Sequence, residues 1–327
     1  MTPFKYVRAG NAIDAVLLGS ESGARYLGGG TNLLDLMKEG AEGATKIVDL
    51  ARLPLTEIRE ENGGVRIGAL AKNADTANHP LIRKQYPLLS QAILAGASAQ
   101  IRNMATDGGN LLQRTRCPYF YDIALPCNKR APGSGCGARE GLNRMHALFG
   151  WSESCVAVHP SDMCVALAAL ETTILVQGKD GKQRSIPFTD FHRLPGDQPQ
   201  KDNTLEPGEL IVALQLPKPV FAEKSHYLKV RDRASYAFAL VSVAAALEVK
   251  SGKIQQARLA MGGVAHKPWR ALEAEKALVG KSPTEEIFLA AAEAEMKNAK
   301  PLEHNAFKVE LGKQAIIRAL SQANGMG

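Results

Sequence analysis

A chain of 327 residues, 45% hydrophobic and 22% charged, has room for one large domain or two to three small ones, and can bury a core without staples. That balance excludes a disordered, collagenous or coiled-coil chain. Forty Lys plus Arg against 33 Asp plus Glu give +7, dispersed along the chain, which reads as a solvated surface and not as a nucleic-acid footprint.

The N-terminus, Met1-Thr2-Pro3-Phe4-Lys5, lacks the apolar core of a signal peptide. Ala12 to Leu18 predicts a helix and Arg25-Tyr26-Leu27 a short strand. Gly28-Gly29-Gly30 predicts a turn that other residue types would resist. Thr31 is then placed to cap a helix running to Lys38. Lys46 to Leu50 and Val65 to Leu70 predict strands, with a Gly63-Gly64 turn before the second. Leu88 to Ala95 predicts another helix, and the mixture argues α/β or α+β.

Residues 111–160 change character. Pro, Gly, Arg and Cys crowd in, and neither the helix nor the strand period holds. So long an irregular stretch inside a compact domain is uncommon, and its aromatics Tyr119, Phe120 and Tyr121 argue against disorder. It reads as a loop insertion organised around something bound. Regular structure returns with a helix from Met163 to Leu170 and strands at Thr173 to Gln177 and Leu210 to Leu216. Pro217 to Ala222 reads as a linker. The rest forms a second unit: apolar runs at Tyr236 to Val249 and Ile254 to Met261 around a Lys250-Ser251-Gly252 turn, then helices at Ala271 to Leu278 and Thr284 to Lys297. The longest apolar runs, such as Phe238 to Leu247, are too short to span a membrane.

Two glycine loops carry chemistry. Gly28-Gly29-Gly30-Thr31-Asn32 follows a strand and opens a helix, so its backbone N–H groups could hold a pyrophosphate; the alternative is a plain tight turn. The segment Gln100-Ile101-Arg102-Asn103-Met104-Ala105-Thr106-Asp107-Gly108-Gly109-Asn110 pairs glycines with Thr and Asn side chains able to reach a phosphate or ribose. Five cysteines fall between 117 and 164 with the spacing C-x9-C-x8-C-x18-C-x8-C, which is neither a zinc-finger nor a ferredoxin pattern. Metal or cluster binding competes there with buried thiols. A cluster needs four thiolates, and Cys164, inside an apolar helix pattern, is the spare. The seven histidines are scattered and read as structural or exposed. The run Lys229 to Arg233 reads as a solvated strand edge or ion-pair network, with contact to an anionic cofactor as the alternative.

Together these segments resemble the FAD-binding subunit of molybdenum-containing hydroxylases, the xanthine dehydrogenase family, over essentially the whole chain. The resemblance implies an α+β fold: a two-part FAD-binding domain of the vanillyl-alcohol-oxidase (PCMH) type over residues 1–218, and a C-terminal α+β domain of the CO dehydrogenase flavoprotein type over 223–327. Gly262-Gly263-Val264-Ala265 with Pro268 and Arg270 looks like the latter. It implies flavin contacts from Leu27, Gly28, Gly29, Gly30, Thr31, Asn32 and Leu33, from Thr106, Gly108, Gly109 and Asn110, from Asp162 in His159-Pro160-Ser161-Asp162, and from Ile211 and Lys229 near the isoalloxazine ring. Asp107 departs from the family's apolar residue, and its charge is expected to point outward. The insertion at about 113–158 is similar to that of aldehyde oxidoreductases with a [4Fe–4S] cluster in this subunit, implying Cys117, Cys127, Cys136 and Cys155 as ligands.

The implied function is electron transfer. A molybdenum-cofactor subunit oxidises the aldehyde, a [2Fe–2S] subunit relays the electrons, and FAD here hands them to an external acceptor. No catalytic acid or base is expected on this chain, nor any nucleic-acid or membrane partner. The aromatics beside Arg114, Arg116, Lys129 and Arg130 read as interface anchors or as packing around the cluster. A stand-alone flavin oxidase and a non-catalytic Fe–S or zinc interaction protein are the alternatives. Cytoplasmic assembly is expected, with periplasmic export open through a twin-arginine partner.

Overall fold

The computed structural model describes residues 1–326. Strand β1 (Lys5–Arg8), β2 (Ala24–Leu27) and β3 (Lys46–Asp49) form a parallel sheet of order β1-β3-β2. Helices Ala12–Gly19 and Leu33–Lys38 make the crossovers. Asn11 caps the first by accepting the Asp14 N–H. Ala15 and Val16 of that helix bury with Val48 of β3 and with Leu210 and Val212 of a second sheet.

The second sheet is antiparallel, with β4 (Ile58–Glu61), β5 (Gly64–Gly68), β8 (Leu210–Leu216), β6 (Thr173–Gln177) and β7 (Gln183–Pro187) in that spatial order. The long excursion between β5 and β6 carries helices Asn73–Asn78, Pro80–Gln85, Pro87–Ala95 and Asp162–Ala169. Every residue of Asp162–Ala169 is buried, so this helix is an internal pillar.

A third sheet follows: β9 (Ser225–Val230), β10 (Val241–Lys250), β11 (Lys253–Gly262) and β12 (Trp269–Arg270), antiparallel, in the order β12-β11-β10-β9. Ser251 and Gly252 join β10 to β11 with φ of 50° and 73°, the left-handed pair that matches strand twist. The pleat explains the apolar run of β10. Val243, Ala245 and Leu247 pack with helices Leu272–Leu278, Glu285–Met296 and Phe307–Ala323, whereas Ala244 and Ala246 pack with the internal pillar. A strand buried on both faces loses polar alternation. Among the described residues, no helix is long and apolar enough to cross a membrane.

Several expectations shift. The helix after the first glycine loop begins at Leu33, with Asn32 and not Thr31 at its N-cap position and no side-chain cap bond. The turn before β5 uses Asn62 and Gly63, both at positive φ, while Gly64 is already in the strand. Helix Phe307–Ala323 was not expected from the sequence; its buried stripe, Gly312, Ala315, Ile316, Ala319, Leu320 and Ala323, is mostly small residues that give a weak apolar signal.

Phe288 is fully buried under the third sheet. Phe288→Ala should lower stability by about 3–5 kcal/mol, read as an earlier urea midpoint by circular dichroism. A change under about 1 kcal/mol would mean that this layer collapses freely around the gap.

Candidate cofactor cleft and cysteine pocket

One cleft of about 1760 Å³ runs between the parallel sheet, the helical excursion and the third sheet. All fourteen candidate cofactor residues line it: Leu27 to Leu33, Thr106, Gly108, Gly109, Asn110, Asp162, Ile211 and Lys229. They arrive from separate elements. Leu27 ends β2, Ile211 lies on β8, Lys229 on β9, and Asp162 begins the internal pillar.

The two glycine loops touch. A Cβ on Gly29 would overlap the Met104 carbonyl, and one on Gly28 would press on the Thr106 hydroxyl. Their roles differ, however. The N–H groups of Gly28, Gly29, Gly30, Thr31 and Asn32 have no protein acceptor among the described residues. The second loop's are already engaged: Asp107 N–H donates to Ala71 O at 2.9 Å, Gly108 N–H to Ala69 O at 2.7 Å, and Gly109 N–H to Thr106 Oγ1 at 3.2 Å. The first loop therefore offers the free donors that an anion nest requires, and the second is a wall that supports it. Asn32 Oδ1 accepts the Arg114 N–H at 2.8 Å, which leaves its buried Nδ2 without a partner.

Asp107 points inward, contrary to the outward expectation. It is fully buried, and Asn73 Nδ2 and Thr76 Oγ1 donate to its carboxyl. Asn73 Oδ1 in turn accepts from Asn110 Nδ2 at 2.8 Å, and Asn110 Oδ1 accepts from Ser161 Oγ. Burial pushes the Asp107 carboxyl up to about 7, against the pull of the Thr76 and Asn73 hydrogen bonds. Lys229 is no solvated edge residue. Its Nζ sits 2.8 Å from Asp162 Oδ2 and 3.1 Å from Ala95 O, while Tyr227 OH donates to Asp162 Oδ1 at 2.7 Å.

A second, small pocket is lined by Cys117, Cys127, Cys136 and Cys155, with Tyr119, Phe120, Asn128 and Lys129 around them. All four are free thiols. Burial pushes Cys117 up to about 12 and Cys155 to about 11, so thiolate forms there only with a cation to compensate. No three of these sulfurs lie mutually within 4.8 Å among the described residues. Cys164 lies apart, fully buried in the internal pillar, with its thiol pushed up to about 12 by burial.

The basic residues of the insertion make internal bonds. Arg114 bridges Glu42 and Asp202, and Lys129 reaches Asp202 and Pro199 O. Arg130 donates to the carbonyls of Tyr119, Phe120 and Leu125, and Arg116 to Asp35 and Tyr121. Burial alone would raise the Asp202 carboxyl, but Lys129 and Arg114 hold it well below the usual carboxylate range.

The histidines are less scattered in space than in sequence. His159 and His192 meet edge to face with ring centroids 4.4 Å apart, and with Cys164 their ligand atoms lie within 4.8 Å of one another. Burial lowers His192 to about 4 and His159 well below its ordinary value, so both rings are neutral. His159 Nδ1 accepts the Ser161 N–H at 3.4 Å, which puts the ring hydrogen on Nε2, the atom a metal would need bare. These are core histidines.

Residues 2–219 match the family described as the FAD binding domain in molybdopterin dehydrogenase, and 226–323 the CO dehydrogenase flavoprotein C-terminal domain. The aldehyde oxidoreductase FAD-binding subunit PaoB of Escherichia coli is 48% identical over 325 residues, 99% of each chain. The glyceraldehyde dehydrogenase medium chain of Sulfolobus acidocaldarius is 29% identical, covering 87% of this chain and 84% of its own. Among solved structures, carbon monoxide dehydrogenase from Hydrogenophaga pseudoflava superposes with a TM-score of 0.77 at 27% identity, covering 100% of this chain and 99% of that one.

Asp107 makes stability depend on pH. Its free carboxyl titrates near 3.8 and its folded one near 7, so folding takes up a proton between those values. Its contribution to stability therefore falls as pH rises through that window and is level above it. Asp107→Asn should flatten that part of the profile in urea unfolding from pH 4.5 to 7.5. An unchanged slope would show that the carboxyl is already ionised in the folded chain.

Proposed function

This chain belongs to the FAD-binding subunits of the molybdopterin dehydrogenases, and from that premise we propose that it is the electron-transferring medium subunit of an aldehyde oxidoreductase. The observation that carries the reading is the run of five unpartnered amides, Gly28 to Asn32, on the wall of a cleft with room for a dinucleotide. FAD supplies the redox chemistry when bound; the chain's residues bind, orient and shield it. We assign the pyrophosphate to those amides, with Leu27, Leu33, Thr106, Gly108, Gly109 and Asn110 completing that wall. Asp162, Ile211 and Lys229 are assigned to the ring. The neutral pair Asp162–Lys229 offers polar contact there with no net charge.

Cys117, Cys127, Cys136 and Cys155 are assigned to a [4Fe–4S] cluster. The support is a pocket lined by four free thiols, together with the likeness to an aldehyde oxidoreductase subunit. The proposed partners are a [2Fe–2S] subunit that delivers electrons and a large molybdenum subunit that oxidises the aldehyde, completing a heterotrimer. The domains are taken as 1–218 and 223–327. Assembly is placed in the cytoplasm, with export through a partner's twin-arginine signal open.

Gly29→Ala should force the two loops apart, leaving folded protein with flavin well below one per chain by absorbance; full occupancy would remove the nest from the binding site. Cys117→Ala, Cys127→Ala, Cys136→Ala and Cys155→Ala should each lose the cluster, while Cys164→Ala keeps four irons per chain. Loss in Cys164→Ala with retention in Cys155→Ala would refute the ligand set. The purified chain, given an aromatic aldehyde without oxygen, should keep its flavin absorbance, and should bleach only when both partner subunits are added. Bleaching of the chain alone would favour a stand-alone oxidase.

A further inference from the structure

The cysteine pocket has a polar neighbour to which the cluster assignment gives no task. His146 is buried, and its Nε2 lies 3.1 Å from Cys117 Sγ. Its Nδ1 is buried as well and has no hydrogen-bond partner. A thiolate only accepts, so the ring nitrogen facing it must carry the hydrogen. That tautomer leaves Nδ1 as a bare lone pair and avoids a buried N–H without an acceptor. The contact is also too short for two ligands of one metal atom, which would stand about 3.6 Å apart from bond lengths of 2.3 and 2.05 Å or so. The geometry is that of a hydrogen bond onto the sulfur.

The backbone at this point is held from two sides. Lys308 Nζ and Asn305 Nδ2, both from fully buried residues of the C-terminal unit, donate to His146 O at 2.8 and 3.1 Å. His146 N–H donates to Asn143 O at 3.0 Å. Asn143 is itself fixed, its amide donating to Arg139 O at 3.1 Å and its Oδ1 accepting the His304 N–H at 2.9 Å. A ring needed only to fill space would not require that much placement.

We propose that His146 is a positioning residue of the cluster: its Nε2–H donates to the Cys117 sulfur and raises the reduction potential of the iron–sulfur centre. This rests on the cluster reading above. Reduction adds negative charge to the cluster and its thiolates, and an N–H dipole aimed at one of them favours the reduced state more than the oxidised one. The bond needs no change in ligand number, so iron content and potential separate the two readings.

The experiment uses the full chain, with iron and flavin counted before any titration. Wild type should hold four irons per chain; its absence would overturn the cluster reading itself, and this inference with it. With iron present, His146→Leu should keep four irons and full flavin, while its cluster, followed by EPR in a redox titration, reduces at a more negative potential. His146→Gln restores an N–H donor of similar reach, and its potential should lie between the other two. A His146→Leu potential equal to wild type would overturn the inference and leave the cluster reading intact. Loss of iron in His146→Leu with flavin retained would also overturn it, since the ring would then hold the cluster instead of tuning it.

Discussion

The close approach of two backbones, Gly29 against Met104, is the constraint from which the cleft follows. No residue with a Cβ fits at position 29 without overlapping the Met104 carbonyl, so the parallel sheet and the helical excursion meet there as bare chain. The contact seats the first loop on the second. Once seated, the first loop leaves its amides without protein acceptors: Met104 O takes Lys72 Nζ, Ala105 O the Asn73 N–H and Thr106 O the Asn110 N–H. A nest of free N–H groups is the consequence. Glycine serves here less by its dihedral freedom than by its missing side chain, although Gly30, at φ 73°, uses both.

The second loop can support the first because it is pinned from behind. Asp107, Asn73, Thr76, Asn110 and Ser161 form one buried polar network joining three separate segments of the excursion. Burial pushes that carboxyl up to about 7, so near neutral pH it carries only part of a full charge beside the first loop's amides. Networks of this kind are stabilising only when all members are paired, and this one is closed on the side away from the cleft.

Local pattern made much of this legible. Strand, glycine turn and helix succeed one another at 24–38 in sequence as in space, and the irregular stretch at 111–160 contains only two short helices, Pro118–Tyr121 and Gly137–Glu140. What escaped was long-range. Asp107 looks like a surface charge until Asn73 and Thr76 come within reach. Asp202 and His146 carry no motif at all, and their contacts come from Arg114, Lys129 and Cys117, which lie 29 or more residues away in the chain. Helix Phe307–Ala323 buries more Ala and Gly than large apolar residues against β10 and β9, which weakens the signal that periodicity detects.

The two sites are not independent, since one short segment forms a wall of each. Arg114 and Arg116 line the cleft, whereas Thr115 and Cys117 line the cysteine pocket. Alternate side chains thus face opposite ways, as in any extended chain. Asp202 reinforces the partition: it lines the cleft, binds Arg114 beside it, and reaches Lys129 from the pocket side. Lys129 has almost no exposed side-chain surface, so its charge needs Asp202, and removing Asp202 would strand a buried ammonium at a cost of about 3–5 kcal/mol. Cleft and pocket are therefore separated by a single thickness of backbone, stiffened by an ion pair.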